Sequence, residues 1–224
     1  MKLIIDGNIY IAKADQTLYD IIKDLGLITG KLSTDPIAAK IAGRVFTLNY
    51  IPVRQKDIDT PERGSVRKAM AASDGTVSLI RYSDPTGCDA YRRTAQFVLF
   101  LAIRRLWPEA HAKMNCTVGS GLYIKVINAP GFSADLLKEE VWRIVAENIT
   151  LRRKRILTSD AIGYYTQHGQ LDKARLLGYR RKNTLDVYEN GDFVDYYYGE
   201  MAPSTSFLRS WDILSAPEGF IAIE

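Results

Sequence analysis

One stretch constrains this 224-residue chain more than any other: Tyr91–Pro108, YRRTAQFVLFLAIRRLWP. Ala95, Val98, Leu99, Ala102 and Leu106 recur at helical spacing. Phe97, Phe100, Leu101 and Ile103 make its middle apolar on nearly every side, so the helix must be enclosed by other elements. At 1.5 Å per residue it spans roughly 25 Å, enough to cross a small domain. It is too short, and too charged at its ends, to cross a bilayer. Asp84, Thr86 and Asp89 offer N-caps, and Pro108 stops it. Read this way, Arg92 and Arg93 fall in the first turn, where the helix dipole disfavours cations.

The rest of the composition is that of an ordinary folded protein: 46% apolar and 25% charged residues supply a core and argue against disorder. A net charge of +4 permits an anionic partner without requiring one. Two cysteines, Cys88 and Cys116, make no disulfide framework. The N-terminus, MKLIIDGNIYIAKADQ, lacks the apolar run of a secretory signal. A cytoplasmic chain with reduced thiols and no membrane association is expected.

In chain order, residues 2–12 alternate around Gly7-Asn8, a hairpin signal. Thr17 caps a short amphipathic helix, LYDIIKDLG, which Gly26 can end. A second hairpin follows over 37–48, turning at Gly43, and VSLIRY at 77–82 reads as a strand. Hairpin, helix, hairpin, strand is a β-grasp pattern. A polar insert at 54–75 interrupts it, with a short helix expected at SVRKAMAAS. Ser83-Asp84-Pro85-Thr86-Gly87 is the candidate boundary, dividing the chain into 1–84 and 85–224.

Beyond the long helix, 111–118 and 121–127 read as strands joined by GSG, and 134–148 as an amphipathic helix. LRRKRIL at 151–157 alternates as a basic strand. Helices follow at 160–168, capped by Thr158 or Ser159, and at DKARLLGY. Strands at 184–188 and 193–197 flank a turn at Asn190-Gly191. Segments 207–214 and 220–223 close the chain, and the fold class is α+β. An apolar final strand is the ending expected of a segment from a longer protein.

Three stretches, RTAQFVLFLAIRRLWP, GSGLYIKV and FVDYYYGEMAPSTSFLRSWDIL, carry a resemblance that covers nearly the whole chain. Residues 1–84 resemble a TGS domain, the β-grasp module of threonyl-tRNA synthetase. Residues 85–224 resemble the second additional domain of threonyl- and alanyl-tRNA synthetases, an α+β editing domain with a long central helix. YRRTAQF, QLDKARLLGYR, FVDYYYG and PSTSFL further resemble the N-terminal half of bacterial uridine kinase-like proteins, where such regions precede a P-loop kinase domain.

The resemblance implies where editing chemistry would reside: a His-x-x-x-His pair on the long helix and a Cys-x-x-x-His pair after a strand, which bind zinc in the alanyl branch. Here those positions hold Arg93 and Phe97, then Tyr197 and Met201. Arginine stays protonated and cannot ligate a metal or act as a base, and phenylalanine has no polar atom. Methionine is a poor zinc ligand and an ordinary tyrosine a poor base at neutral pH. Editing activity and zinc are therefore both expected to be lost. His111 and Cys116 would face opposite sides of one strand, and His168 lies at another helix end, so no metal site is rebuilt. Surface histidines and a buried cysteine are the expectation. GLITGKLS at 26–33 has the wrong spacing for a phosphate-binding loop.

Two readings of the altered pocket stay open. Asp195 or Glu200 pairs with an arginine and fills it. Alternatively Arg92 and Arg93, at a helix N-terminus, hold an anion, with Phe97 or Tyr197 stacking a base. The runs Arg152-Arg153-Lys154-Arg155 and Arg180-Arg181-Lys182 could face RNA. The first functional expectation is thus a non-catalytic, nucleotide- or anion-positioning region of a uridine kinase-like protein. That reading takes no cofactor in this chain, and reserves ATP and Mg for a kinase domain beyond Glu224. The alternative is an RNA- or tRNA-binding module related to threonyl-tRNA synthetase, and a third reading is an editing hydrolase.

Overall fold

The computed structural model describes residues 1–52, 75–119 and 121–223. Most of the polar insert, including the helix expected at SVRKAMAAS, lies outside them. The chain divides into two compact units, Met1–Thr94 with Gly199–Arg209, and Ala95–Tyr198 with Ser210–Glu224.

In the first unit, β1 (Lys2–Ile5), β2 (Asn8–Ile11), α1 (Leu18–Asp24), β3 (Pro36–Ile41), β4 (Arg44–Thr47) and β5 (Thr76–Arg81) follow one another. The sheet order is β2-β1-β5-β3-β4. β1 and β5 pair in parallel and the other neighbours antiparallel, which is the β-grasp arrangement. The first hairpin turns at Asp6-Gly7, one residue earlier than the sequence suggests. Asn8 already pairs with Ile5, and Asp6 (φ 44°) and Gly7 (φ 83°) both take the left-handed conformation of a tight hairpin turn. Thr17 and Asp20 form a reciprocal capping box at the start of α1. Leu18, Ile21 and Ile22 of α1 pack on Leu3, Ile5, Ile41 and Val77 of the sheet.

Residues Gly199–Arg209 belong to this unit through specific contacts. Asn49 Nδ2 donates to the Pro203 carbonyl (2.7 Å), and Tyr19 meets Phe207 edge-on. Arg209 donates to the buried Asp35 carboxylate (2.7 Å), which also accepts from the Thr29 and Gly30 amides. Burial opposes ionisation of Asp35, but the Thr29 amide and the Arg209 guanidinium outweigh it and hold the group below the usual carboxylate range.

The long helix, α2, runs Pro85–Leu106. It starts six residues before Tyr91, so three of the expected boundary residues are helical. Pro85 suits the first helical position because its φ is already set and its missing N–H has no partner there. The Asp84 carbonyl accepts from Cys88 N (2.9 Å). Arg92 and Arg93 therefore sit two turns inside the helix, not in its first turn, and the expected helix-end anion site does not form around them. Arg104 and Arg105 occupy the last turn, where cations complement the dipole.

The second unit carries β6 (His111–Val118), β7 (Gly121–Ile127), α3 (Ala134–Glu147), β8 (Lys154–Leu157), α4 (Thr158–Gln167), α5 (Leu171–Gly178), β9 (Thr184–Asn190), β10 (Phe193–Tyr196), β11 (Asp212–Ala216) and β12 (Gly219–Ile223). They form two sheets, β10-β9-β8 and β11-β12-β7-β6. α3 buries Leu137, Val141 and Ile144 at helical spacing between a Ser133 cap and a left-handed Asn148. The basic strand is shorter than its sequence pattern, starting only at Lys154. Neither Thr158 nor Ser159 caps α4: Leu157 holds the cap position, and Thr158 Oγ1 donates to the Lys182 carbonyl instead. Phe207 lies in a 3-10 turn rather than in the following strand. Among the described residues no helix is long and apolar enough to cross a membrane.

Gly87 is where α2 meets β5. A Cβ added there would lie 1.9 Å from the Arg81 carbonyl oxygen. Alanine at an ordinary helical glycine gains about 1 kcal/mol. Gly87→Ala is instead expected to lower the urea unfolding midpoint, because the obstructing atom is backbone. An unchanged or raised midpoint would contradict this close approach.

Candidate functional site

The positions singled out by sequence fall into two sets. Phe97, Asp195 and Tyr197 belong to the second unit, and Arg92, Arg93, Glu200 and Met201 to the first.

Phe97 is fully buried on α2. Its ring meets Phe193 of β10 at 5.3 Å, and Tyr188 of β9 and Tyr197 at 6.4 Å, all edge-on. Edge-to-face packing puts the positive rim of one ring against the negative face of the next. The aromatic side chains thus fill one another's space as core. Tyr197 is 9% exposed. Neither Phe97 nor Tyr197 presents a ring face to a ligand, so the base-stacking expected of them is not available in this arrangement.

Asp195 lies beneath this cluster, 3% exposed. The sequence points to an arginine partner, but its counter-charge is Lys173 of α5, with Nζ 2.7 Å from Oδ1. Tyr165 donates to the same oxygen (3.0 Å), as does the Tyr196 amide (2.9 Å). The Tyr197 hydroxyl stands 3.5 Å from Oδ2. Lys173 also lies over the rings of Phe100 and Tyr165, at 5.8 and 5.2 Å from their centroids. Burial, then the charge of Asp195, pushes the Tyr165 and Tyr197 phenols well above their ordinary range, so both stay protonated as donors. Lys173 and Tyr165 carried no signal in the sequence: each reads as an ordinary helical residue until β10 is folded beside it.

In the first unit, Arg93 Nε donates to the Glu200 carbonyl (3.0 Å). Its guanidinium lies against Gly199, where an added Cβ would come within 2.8 Å of Arg93 Cζ. Met201 is buried, and Ala202 N donates to Thr94 Oγ1 (2.9 Å). Arg92 is exposed.

The histidine and cysteine positions depart from expectation in detail. A bulge between Met114 and Cys116 shifts the alternation of β6, so His111 and Cys116 oppose Ile127 and Tyr123, which share a face of β7. Both histidines are half-buried rather than on the surface, Cys88 is half-buried, and Cys116 is exposed. Among the described residues no group of three or more His, Cys, Asp and Glu side chains could hold a metal ion.

Most of the basic run at 152–155 is ion-paired with β9. Arg155 binds Asp186 through two nitrogens (2.8 and 3.1 Å), Arg153 lies 3.8 Å from the same carboxylate, and Lys154 meets Glu189 at 3.0 Å. Burial opposes the charge on Asp186, but these arginines hold it below the usual carboxylate range. An open cleft of about 820 Å³, not foreseen from sequence, is lined by Leu101, Arg104, Tyr164, His168, Asn190 and Phe193 among others.

No family model matches the chain. It is similar to curated threonine–tRNA ligases. That of Clostridium novyi is 27% identical over 183 residues, covering 79% of this chain and 28% of the relative. That of Desulforamulus reducens is 24% identical over 214 residues, covering 94% and 30%. That of Desulfosudis oleivorans is 30% identical over 142 residues, covering 62% and 22%. The chain therefore spans less than a third of the length of these relatives, and resembles a threonine–tRNA ligase in that part.

Removing Lys173 would leave a buried carboxylate without its counter-charge. Lys173→Met is expected to cost about 3 kcal/mol in urea unfolding, with Asp195→Asn in the same chain recovering part of the loss. The raised phenols set an alkaline limit. Their contribution is complete below the unfolded tyrosine value near 10 and is lost as pH rises above it. Stability should fall from about pH 10 upward, and less steeply in Tyr197→Phe; equal slopes would argue against the assignment.

Proposed function

We propose that this chain is a non-catalytic RNA-binding module related to the corresponding part of threonine–tRNA ligases, with tRNA or a tRNA-like RNA as its partner. In this reading residues 1–84 are TGS-like and residues 85–224 are an editing-like fold without its chemistry. The observation that carries it is the edge-on packing of Phe97 by Tyr188, Phe193 and Tyr197. A hydrolytic centre needs a base, a nucleophile or a metal where charge develops; this cluster offers rings, a protonated phenol and a carboxylate already engaged by Lys173, Tyr165 and the Tyr196 amide. The relatives act, by name, on tRNA, and the similarity runs through both units, which favours a retained RNA partner over a new chemistry.

The kinase-linked reading is the weaker of the two. It relied on cations at a helix N-terminus to hold a nucleotide. Arg93 instead sits two turns inside α2 with Nε engaged by a carbonyl. A downstream kinase domain using ATP and Mg belongs to that second reading alone.

Filter binding of the chain to unmodified tRNA tests the proposal. Affinity should fall steeply between roughly 50 and 200 mM salt, as phosphate contacts require. Mischarged tRNA should remain intact under conditions where an active editing enzyme clears it. Salt-insensitive or absent binding would remove the RNA reading, and deacylation above background would restore the hydrolase.

A further inference from the structure

We propose that the end of α5 and the residue two beyond β10 form a stacking site for unpaired RNA bases, with Tyr179 and Tyr198 as platforms and Arg180, Arg181 and Lys182 beside them for the phosphates. The inference rests on the RNA-binding reading above and names the surface that would do the binding.

Tyr179 is 81% exposed and Tyr198 71% exposed. A single exposed tyrosine needs no explanation, but Tyr179 directly precedes Arg180 in the chain, and the Arg180 side chain is fixed against Tyr198. The Arg180 guanidinium lies over the Tyr198 ring, 5.6 Å from its centroid. Its NH1 donates to the Tyr198 hydroxyl (3.1 Å) and its NH2 to the Thr184 carbonyl (3.3 Å). Tyr196 braces the same ring edge-on at 5.8 Å. Tyr198 is thus held in one orientation while most of its surface stays open, so stacking a base on it requires little further ordering. Tyr179 is the C-cap of α5, its amide bonded to the Leu176 carbonyl, and is the residue before Arg180. Leu176, also exposed, precedes it by three positions and shares its helix face.

The charges around this surface differ from those of the strand at 152–155. Arg181 and Lys182 are exposed, and among the described residues neither makes an ion pair. The nearby carboxylate, Asp186, is engaged bidentately by Arg155, though it still feels the charge of Arg180. Asp172, at the start of α5, is paired with Lys113. Exposed aromatic faces interleaved with uncompensated cations match single-stranded nucleic acid, in which every base offers a ring face and every linkage a negative charge. In a duplex the faces are already stacked on one another, so a paired RNA has nothing to give these tyrosines.

The test uses the 224-residue chain with a fluorescein-labelled oligouridylate of about eight nucleotides, the scale of a small single-strand site, and a self-complementary RNA duplex of the same length. Anisotropy should report tighter binding to the single strand. Tyr179→Ala and Tyr198→Ala together should weaken it by about tenfold or more, while Tyr198→Phe retains it. Arg181→Ala with Lys182→Ala should make the dependence on salt shallower. Circular dichroism should be unchanged, since all four side chains are on the surface. If the chain binds no RNA at all, the functional reading falls and this site with it. If it binds tRNA but the tyrosine pair makes no difference, the stacking site is overturned and the RNA reading stands.

Discussion

A helix that is apolar on every side has to be enclosed, and α2 is such a helix. Ala90 and Tyr91 are buried in the first unit, and Phe97 to Ile103 in the second. The chain must supply covering elements for both stretches. Gly87 lets the first turn of α2 approach β5 to a distance no side chain would allow. The aromatic residues of β9 and β10 cover Phe97 with rings in place of polar groups.

Enclosure of this kind decides what the middle of α2 can do. A ring packed edge-on against three others lies in low-dielectric surroundings, where an unpaired charge is costly. The one carboxylate tolerated there, Asp195, is held by a lysine, a phenol and a backbone amide. Three donors on its Oδ1 fix this side chain in place. At the surface, by contrast, Tyr198 is fixed in orientation but open, and Arg181 and Lys182 are exposed.

Much of the fold could be read before any coordinate. The Thr17 cap, the amphipathic helix at 134–148 and the two strands at 111–118 and 121–127 are local patterns, and each formed where its residues indicated. The hairpin turn at 6–7 moved by one residue because strand pairing, not the turn dipeptide, sets the register. The start of α2 was misjudged for a related reason. Pro85 and Gly87 read as breakers in isolation, yet one is a good first helical residue and the other the point of closest approach to β5.

What the sequence determined by itself was the α+β alternation and the helix that had to be buried. Those are properties of local pattern and side-chain chemistry. Only the tertiary structure decided which charges neutralise one another. Asp195 found Lys173 rather than an arginine, Asp186 and Glu189 took most of the basic strand, and a bulge in β6 turned His111 and Cys116 to one side. Ion pairing and register depend on residues brought together from distant parts of the chain, and local sequence carries no record of which carboxylate will stand beside which cation.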